Sequence, residues 1–229
     1  MFDETISHST RRGFLARTAA AGAMAALASL PAWVEAEAQG QGLPPEVDQN
    51  QGWIKGIHSK YKQLFETPKM ENAIPLHHIS NYYTAWRGTT GVAQNAMTAV
   101  LGVTGFAVPV ILNDAMWAKY SLGKMMNLTD AATGQPYTRN PYMAPQNGEL
   151  FAAPTVTPTA LQALGAKIIL CNNAFGLWIA LTSGATSQQP AAVRAEFLAN
   201  MQPGVTLVPA MVQAVEQAQR ADLTYMKNA

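Results

Sequence analysis

The single cysteine of this sequence lies at a point where chemistry is easily arranged. Cys171 follows the apolar run 167–170 and precedes Asn172 and Asn173, where a helix is predicted to begin. This pattern places the thiol at the carboxyl end of a buried parallel strand, the edge of an α/β sheet where ligand sites gather. A helix N-terminus also favours the thiolate. The alternative is a buried, inert cysteine, because cysteine is among the most buried residue types.

Three further side chains are candidates for a ligand site at the same edge. Asn113 and Asp114 lie in an otherwise apolar predicted helix, where a buried carboxylate needs a cationic partner. The possible partners are Lys119, Arg87 and Arg139. A structural polar network or a subunit contact is the other interpretation of this pair. His78 is the third candidate, as a titratable group on a predicted strand that ends near the cysteine.

Signatures of metal and cofactor binding are missing from the sequence. His77 and His78 are adjacent, so on a strand they would point to opposite faces and could not hold one ion together. Gly102 and Gly105 flank a predicted strand-to-helix turn, but the spacing of a phosphate loop is not there, and a tight turn explains both glycines. We therefore predict neither a metal site nor a resident cofactor.

The N-terminal segment is typical of a twin-arginine export signal. Arg11 and Arg12 are followed closely by Phe14 and then by an alanine-rich apolar stretch over residues 18–30. That stretch of about 13 residues is too short for a membrane-spanning helix, which needs about 20. Two small-residue cleavage patterns follow it, at 34–36 and 36–38. We expect residues 1–38 to be removed and the protein to act in the periplasm after contact with the twin-arginine export machinery.

The composition excludes several classes of protein. The chain has a formal net charge of +1, which gives no electrostatic footprint for nucleic acid. No second apolar run is long enough to span a membrane, so we expect no stable membrane span after cleavage. One cysteine excludes an internal disulfide framework. Only 13% of the residues are charged, which is typical of a surface partly covered by another subunit.

Beyond the signal, the pattern predicts a flexible leader, one amphipathic helix and then an α/β domain. The leader and helix span residues 39–71, with the helix over 52–65, and the domain spans 72–229. Strands are predicted at 74–80, 97–103, 167–170 and 205–208, and helices at 81–86, 104–120, 173–183, 193–201 and 211–225. Such alternation predicts a mostly parallel sheet with helices on both faces. Residues 121–158 form a long loop, which is usually a lid, a binding loop or an arm over a neighbouring subunit.

Three stretches of the sequence resemble the DsrE family of small sulfur-relay proteins. They are the strand and cysteine at 167–175, the strand at 205–209 that runs into the last helix, and the segment 97–120. The last of these is similar to an exported, twin-arginine-bearing branch of that family. The likeness covers about residues 72–226, and it implies a three-layer α/β/α, flavodoxin-like fold and assembly into homotrimers or hexamers.

The same resemblance implies a chemistry for the cysteine. Family members that relay sulfur carry it as a persulfide on a cysteine at the position that Cys171 matches. Many of them have a second cysteine three residues further on, and this chain has Ala174 there. Because the second cysteine is missing, the resemblance is compatible with a carrier that holds sulfur on Cys171 alone, rather than with a turnover enzyme.

Three functional hypotheses follow. The first is an exported protein that binds or carries a small sulfur species at Cys171, with a ligand site lined by Asn113, Asp114, Asn172, Asn173 and His78. The second is a non-catalytic oligomeric module that binds a ligand or partner through 121–158 and whose cysteine is structural. The third is a redox enzyme fed by a soluble electron carrier. Exposure of the thiol to a pocket would favour the first hypothesis, and a sealed thiol the second.

Overall fold

The computed structural model describes residues 42–145 and 154–228, and the predicted export signal at 1–38 lies outside the described residues. A parallel sheet in the order β4-β3-β2-β1-β5 forms the centre of the molecule. The strands are β1 (Tyr61–Thr67), β2 (Met97–Val103), β3 (Lys167–Cys171), β4 (Val205–Val208) and β5 (Thr224–Lys227). The predicted strands at 97–103, 167–170 and 205–208 are confirmed, because each is a continuous apolar run of the kind that fills a sheet covered on both faces.

Short and long helices connect these strands. The α-helices are α1 (Gly52–Lys55), α2 (Ile74–Thr90), α3 (Asp114–Tyr120), α4 (Leu122–Met125), α5 (Pro158–Ala163), α6 (Asn172–Thr186), α7 (Pro190–Ala199) and α8 (Met211–Arg220). The 3-10 turns are Glu71–Ala73, Gln94–Ala96, Gly105–Ile111 and Pro154–Val156. The longest of them follows β2 and leads towards the long loop.

Helices cover both faces of the sheet. On one face, Tyr82 of α2 packs edge-on against Phe65 of β1, with ring centroids 5.7 Å apart. On the other face, α8 lies so close to Gly102 of β2 that an added Cβ would come within 3.0 Å of Met211 Sδ. Helix α1 joins this second layer, since Trp53 Nε1 donates a hydrogen bond to Gln217 at 3.3 Å. The predicted α/β fold with a parallel sheet and helices on both faces is therefore confirmed.

The direction of the chain reverses once along the sheet. Strands β1 to β4 follow each other in one direction, and the connection through α8 then returns across the sheet to β5, beside β1. Because crossovers between parallel strands are right-handed, the chain leaves β3 and β4 towards opposite faces. The strand order reverses between β1 and β5, so the switch point of the sheet, the usual place for a ligand crevice in open α/β folds, lies between these two strands.

The amphipathic helix predicted over 52–65 is wrong. Helix α1 ends at Lys55, and Tyr61–Thr67 is strand β1, paired on both sides with β2 and β5. The apolar residues of this segment have a spacing that fits a helix, but two neighbouring strands supply backbone hydrogen-bond partners that no sequence window shows. The α/β domain therefore begins before residue 72.

The strand predicted at 74–80 is also wrong, because this segment begins α2, which runs unbroken through Thr90. Leu76, Ile79 and Tyr83 are all buried, and their spacing of three and four residues marks one helix face. Pro75 lies in the first turn, where its missing N–H leaves no hydrogen bond unmade.

Two other predicted helices differ in extent. The helix predicted over 104–120 is a 3-10 turn to Ile111 followed by α3 from Asp114, because Gly105 has a φ of 53° and Asn113 caps a new helix. The C-terminal helix ends at Arg220, and Tyr225 belongs to strand β5. This strand has only four residues and lies at an exposed edge, so it has little apolar pattern to reveal it.

Candidate functional site

The cysteine lies at the carboxyl end of β3, where the sequence predicted it, but it is buried. Cys171 ends β3 and occupies the N-cap position of α6, and its side chain is 5% exposed. The backbone N–H of Met211, the first residue of α8, donates to Cys171 Sγ at 3.3 Å. The sulfur therefore lies between the N-terminal ends of two helices.

The two asparagines after the cysteine have different environments. Asn172 is fully buried and accepts a hydrogen bond from Arg194 Nη2 at 2.9 Å, whereas Asn173 is exposed. Arg194 also pairs with Glu46 at 2.7 Å, which ties the leader to α7. Among the described residues, Asn172 Nδ2 and Arg194 Nη1 have no hydrogen-bond partner. Buried donors of this kind are commonly satisfied by ordered water.

The predicted pair of polar residues at the start of α3 has a structural role. Asn113 and Asp114 are exposed. Asn113 Oδ1 accepts from the backbone N–H of Met116 at 3.2 Å, and Asn113 Nδ2 donates to Asn200 at 2.8 Å. Asp114 Oδ1 accepts from the backbone N–H of Asn140 at 2.8 Å. The predicted polar network is present, and none of these hydrogen bonds leads to Cys171.

His78 contacts the C-terminus of the chain. It is half-buried on α2, and Nδ1 lies 2.7 Å from Oδ1 of Asn228. Asn228 is itself buried and donates from Nδ2 to Thr67 Oγ1 at 3.0 Å. The partner of His78 is thus at the end of β1, two strands away from Cys171 in the sheet. Of the predicted site residues, Asn172 and Asn173 adjoin the thiol, whereas Asn113, Asp114 and His78 have their hydrogen-bond partners elsewhere.

A cavity of about 460 Å³ opens elsewhere on the carboxyl edge of the sheet. Its walls come from three parts of the chain. Lys69, Met70 and Asn72 follow β1, Phe106 follows β2, and Met125–Leu128 with Tyr142 come from the long loop. The volume lies within the range of about 300–1,000 Å³ that is usual for small-molecule sites. Cys171 is not among these lining residues.

The loops after β1 and β2 are joined beneath this cavity. The backbone N–H of Phe106 donates to Pro68 O at 2.8 Å, and that of Thr104 donates to Thr67 O at 3.1 Å. Gly105 between them has a φ of 53°, and a Cβ there would come within 2.9 Å of Pro68 O. Only glycine accepts both the left-handed backbone and this contact.

A buried asparagine fixes the long loop over the cavity. Asn140 is fully buried, and its Nδ2 donates to Val110 O at 2.8 Å and to Leu112 O at 2.7 Å. Its Oδ1 accepts from the backbone N–H of Tyr142 at 3.0 Å, which places the Tyr142 side chain in the cavity wall. One side chain thereby satisfies carbonyls that the 3-10 turn leaves unpaired.

A second close contact, between α4 and Tyr137, fixes residues 122–137 of the long loop. A Cβ on Gly123 of α4 would come within 2.2 Å of Tyr137 O. Residues 128–137 form a tight hairpin-like turn, with hydrogen bonds from Tyr137 N to Leu128 O at 3.2 Å and from Asp130 N to Gln135 O at 2.8 Å. Residues 121–145 are therefore a packed element that contains helix α4, and Met125–Leu128 with Tyr142 line the cavity at the sheet edge.

Sequence reasoning did not identify the lining residues Met70, Phe106 and Tyr142 or the anchor Asn140. Methionine and aromatic residues are ordinary core residues, and their sequence positions do not show that they line a space rather than fill one. The available signal was the length of the loop at 121–158, which pointed to the segment without naming its residues.

Comparisons with known proteins provide no function. No family model matches the chain, and no curated protein matches it. A solved structure titled as a protein of unknown function, MTH1491 from Methanobacterium thermoautotrophicum, is similar at 12% sequence identity and a TM-score of 0.38. The match covers 73% of this chain and 99% of that chain.

Within 42–145 and 154–228, no helix combines the length and apolar character that crossing a membrane requires. Over the same residues, no group of three or more His, Cys, Asp or Glu side chains is arranged to hold a metal ion.

Proposed function

We propose that this protein is a non-catalytic binding module whose small-molecule ligand occupies the cavity between the ends of β1 and β2 and the loop 121–145. The observation that carries the proposal is this cavity of about 460 Å³ at the carboxyl edge of a parallel sheet, where open α/β folds bind ligands. The burial of the Cys171 thiol, and the position of the His78 partner two strands away in the sheet, favour this function over chemistry at the cysteine.

A pocket-filling variant tests the proposal. Compounds from a small-molecule collection that raise the melting temperature of the wild type should fail to do so with Met126→Trp, because the larger side chain fills the space that the ligand needs. The control is Val212→Trp, at a position 78% exposed on α8, which should respond like the wild type. A collection that shifts no melting temperature, or shifts that persist in Met126→Trp, would contradict the proposal.

A second candidate function is a single-thiol sulfur carrier related to the DsrE family. It is favoured by the location of Cys171 Sγ between two helix N-termini, with a hydrogen bond from Met211 N–H. Polysulfide treatment followed by intact mass measurement tests it. Added sulfur on the wild type and none on Cys171→Ser would support the carrier, and an unmodified wild type would exclude it.

We also propose export by the twin-arginine route and self-association into a homotrimer or hexamer. Export is supported by Arg11, Arg12 and Phe14 in the sequence, and association by the low charge of the chain. A fusion of residues 1–38 to a reporter should reach the periplasm of a bacterial host, and the double variant Arg11→Lys, Arg12→Lys should retain it inside. Light scattering of residues 39–229 tests the oligomeric state, and a monomer would contradict the association.

A further inference from the structure

The walls of the cavity are apolar and rich in sulfur. Met70, Met125, Met126 and Leu128 contribute to them, together with the rings of Phe106 and Tyr142. Methionine thioethers are flexible and polarisable, so they adapt to the shape of an apolar ligand and make favourable contacts with aromatic rings. These side chains favour a ligand whose binding free energy comes from burial of apolar surface rather than from ionic contacts.

One aromatic ring is held in place although it is largely exposed. Phe106 is 55% exposed, and its ring packs edge-on against Trp178 with centroids 6.2 Å apart. Trp178 is fixed in turn by a hydrogen bond from its Nε1 to Gly105 O at 2.9 Å. A ring positioned in advance loses little side-chain entropy when a ligand covers it, and an aromatic ligand gains a ring contact in addition to the area buried.

The environment disfavours a charged ligand in the interior of the cavity. Tyr142 is buried in the wall, and burial raises the pKa of its hydroxyl, which indicates that an anion is poorly solvated there. Among the lining residues that the structure describes, the charged one is Lys69, whose side chain is exposed to solvent, where water screens its charge. Asn72 and Asn127 are also exposed lining residues, and their neutral amides offer hydrogen bonds without charge.

We propose that the cavity binds a neutral, largely apolar aromatic molecule, with its ring against Phe106 and the methionine thioethers and any polar substituent at Asn72 or Asn127. This inference rests on the proposed function and adds the chemical class of the ligand. A ring system of two linked or fused aromatic rings fits the volume.

Two fluorescent probes that differ by one group test the ligand class. N-phenyl-1-naphthylamine is neutral, and 8-anilinonaphthalene-1-sulfonate is the same molecule with a sulfonate. We expect the neutral probe to bind at least about ten-fold more tightly, because the sulfonate must be desolvated in the cavity. Phe106→Ala should weaken binding of the neutral probe by about three- to ten-fold, and Val212→Ala, which removes an exposed apolar side chain elsewhere, should leave it unchanged.

The outcomes separate this inference from the proposed function. Equal or tighter binding of the sulfonate probe, or neutral-probe binding that is insensitive to both Phe106→Ala and Met126→Trp, would overturn the ligand class. If charged compounds shift the melting temperature of the wild type and not of Met126→Trp, the result supports ligand binding in the cavity and contradicts the proposal that the ligand is neutral. If neither the probes nor the compound collection bind, both fail. Unfolding curves close to that of the wild type confirm that Phe106→Ala is folded.

Discussion

At the residue scale, the thiol of Cys171 has a structural partner that its sequence position did not reveal. Its sulfur accepts the backbone N–H of Met211, so the side chain connects the end of β3 to the start of α8. The sequence correctly placed the cysteine before a helix, because an apolar run followed by two asparagines is a local signal. Its burial depends on α8, which lies 40 residues further along the chain.

Because the sulfur of Cys171 accepts a hydrogen bond, substitutions of this residue should differ in how much they lower the free energy of unfolding. Cys171→Ala should lower the free energy of unfolding by about 1–3 kcal/mol, because it leaves the buried N–H of Met211 without an acceptor. Cys171→Ser keeps an acceptor and should cost less. Urea unfolding of both variants measures the difference, and an equal loss in the two would show that the hydrogen bond contributes nothing. Neither variant should change binding of the neutral naphthylamine probe by more than about two-fold.

At the same scale, Asn228 links the end of the chain to the sheet. It is buried, its backbone N–H donates to Glu66 O at 2.8 Å, and its side chain bonds to both Thr67 and His78. Asn228→Ala should therefore lower the free energy of unfolding by about 1–3 kcal/mol. Lys227→Ala at the exposed neighbouring position should change it by less than about 0.5 kcal/mol. Similar values for the two variants in denaturant unfolding would contradict this role.

At the element scale, the loop that covers the cavity depends on one buried side chain. Asn140→Ala removes two short hydrogen bonds to Val110 O and Leu112 O and should lower the free energy of unfolding by about 3 kcal/mol. The matched control is Asn113→Ala, which removes an exposed helix cap and should cost about 1 kcal/mol. Amide hydrogen exchange should rise over residues 121–145 in Asn140→Ala and not in the control. Unchanged exchange in that segment would show that the loop is held by other contacts.

Helices α3 and α7 are joined by a pair of charges with a predictable pH dependence. Hydrogen bonds from Lys119 and then Tyr120 hold the pKa of Glu196 below its ordinary value of 4.5. Because the folded pKa is lower than the unfolded one, this carboxylate stabilises the fold above about pH 4.5, and the contribution is lost as the pH falls through the folded pKa. The contribution should be small because the pair is exposed.

Comparison of Glu196→Gln with the wild type measures this dependence. The variant should unfold at a lower denaturant concentration than the wild type at neutral pH, and the difference should vanish in strong acid. Glu216→Gln is the control, because Glu216 pairs with Arg220 on the exposed surface of a single helix. An acid-independent difference for Glu196→Gln would contradict the role of the ionised carboxylate.

At the scale of the whole molecule, the connection through α8 decides where the candidate sites lie. It places the switch point of the sheet between β1 and β5, and its first residue closes over Cys171 at the end of β3. The cavity instead forms above β1 and β2, where the loop 121–145 folds back over the sheet edge. The carboxyl edge of the sheet is therefore filled at β3, where the first residue of α8 packs against Cys171, and open at β1 and β2, where the loop 121–145 encloses a cavity.

Three strands and the α/β class could be predicted from sequence for a physical reason. Strands β2, β3 and β4 are continuous apolar runs, and such runs in alternation with helices form a parallel sheet covered on both faces. The central β1 was mistaken for a helix, because its pairing with β2 and β5 supplies hydrogen bonds from segments distant in sequence. The edge strand β5 was missed since four mostly exposed residues carry no apolar pattern.

The sequence by itself determined the fold class and the position of Cys171 at a strand end, since each depends on residues close together in the chain, and the export signal stays a prediction. Only the tertiary structure decided that this thiol is sealed, that Asn113 and His78 have structural partners, and that a cavity lies between Phe106 and the long loop. These properties arise from contacts between segments far apart in the chain, and side-chain burial and enclosed space depend on such contacts rather than on local pattern.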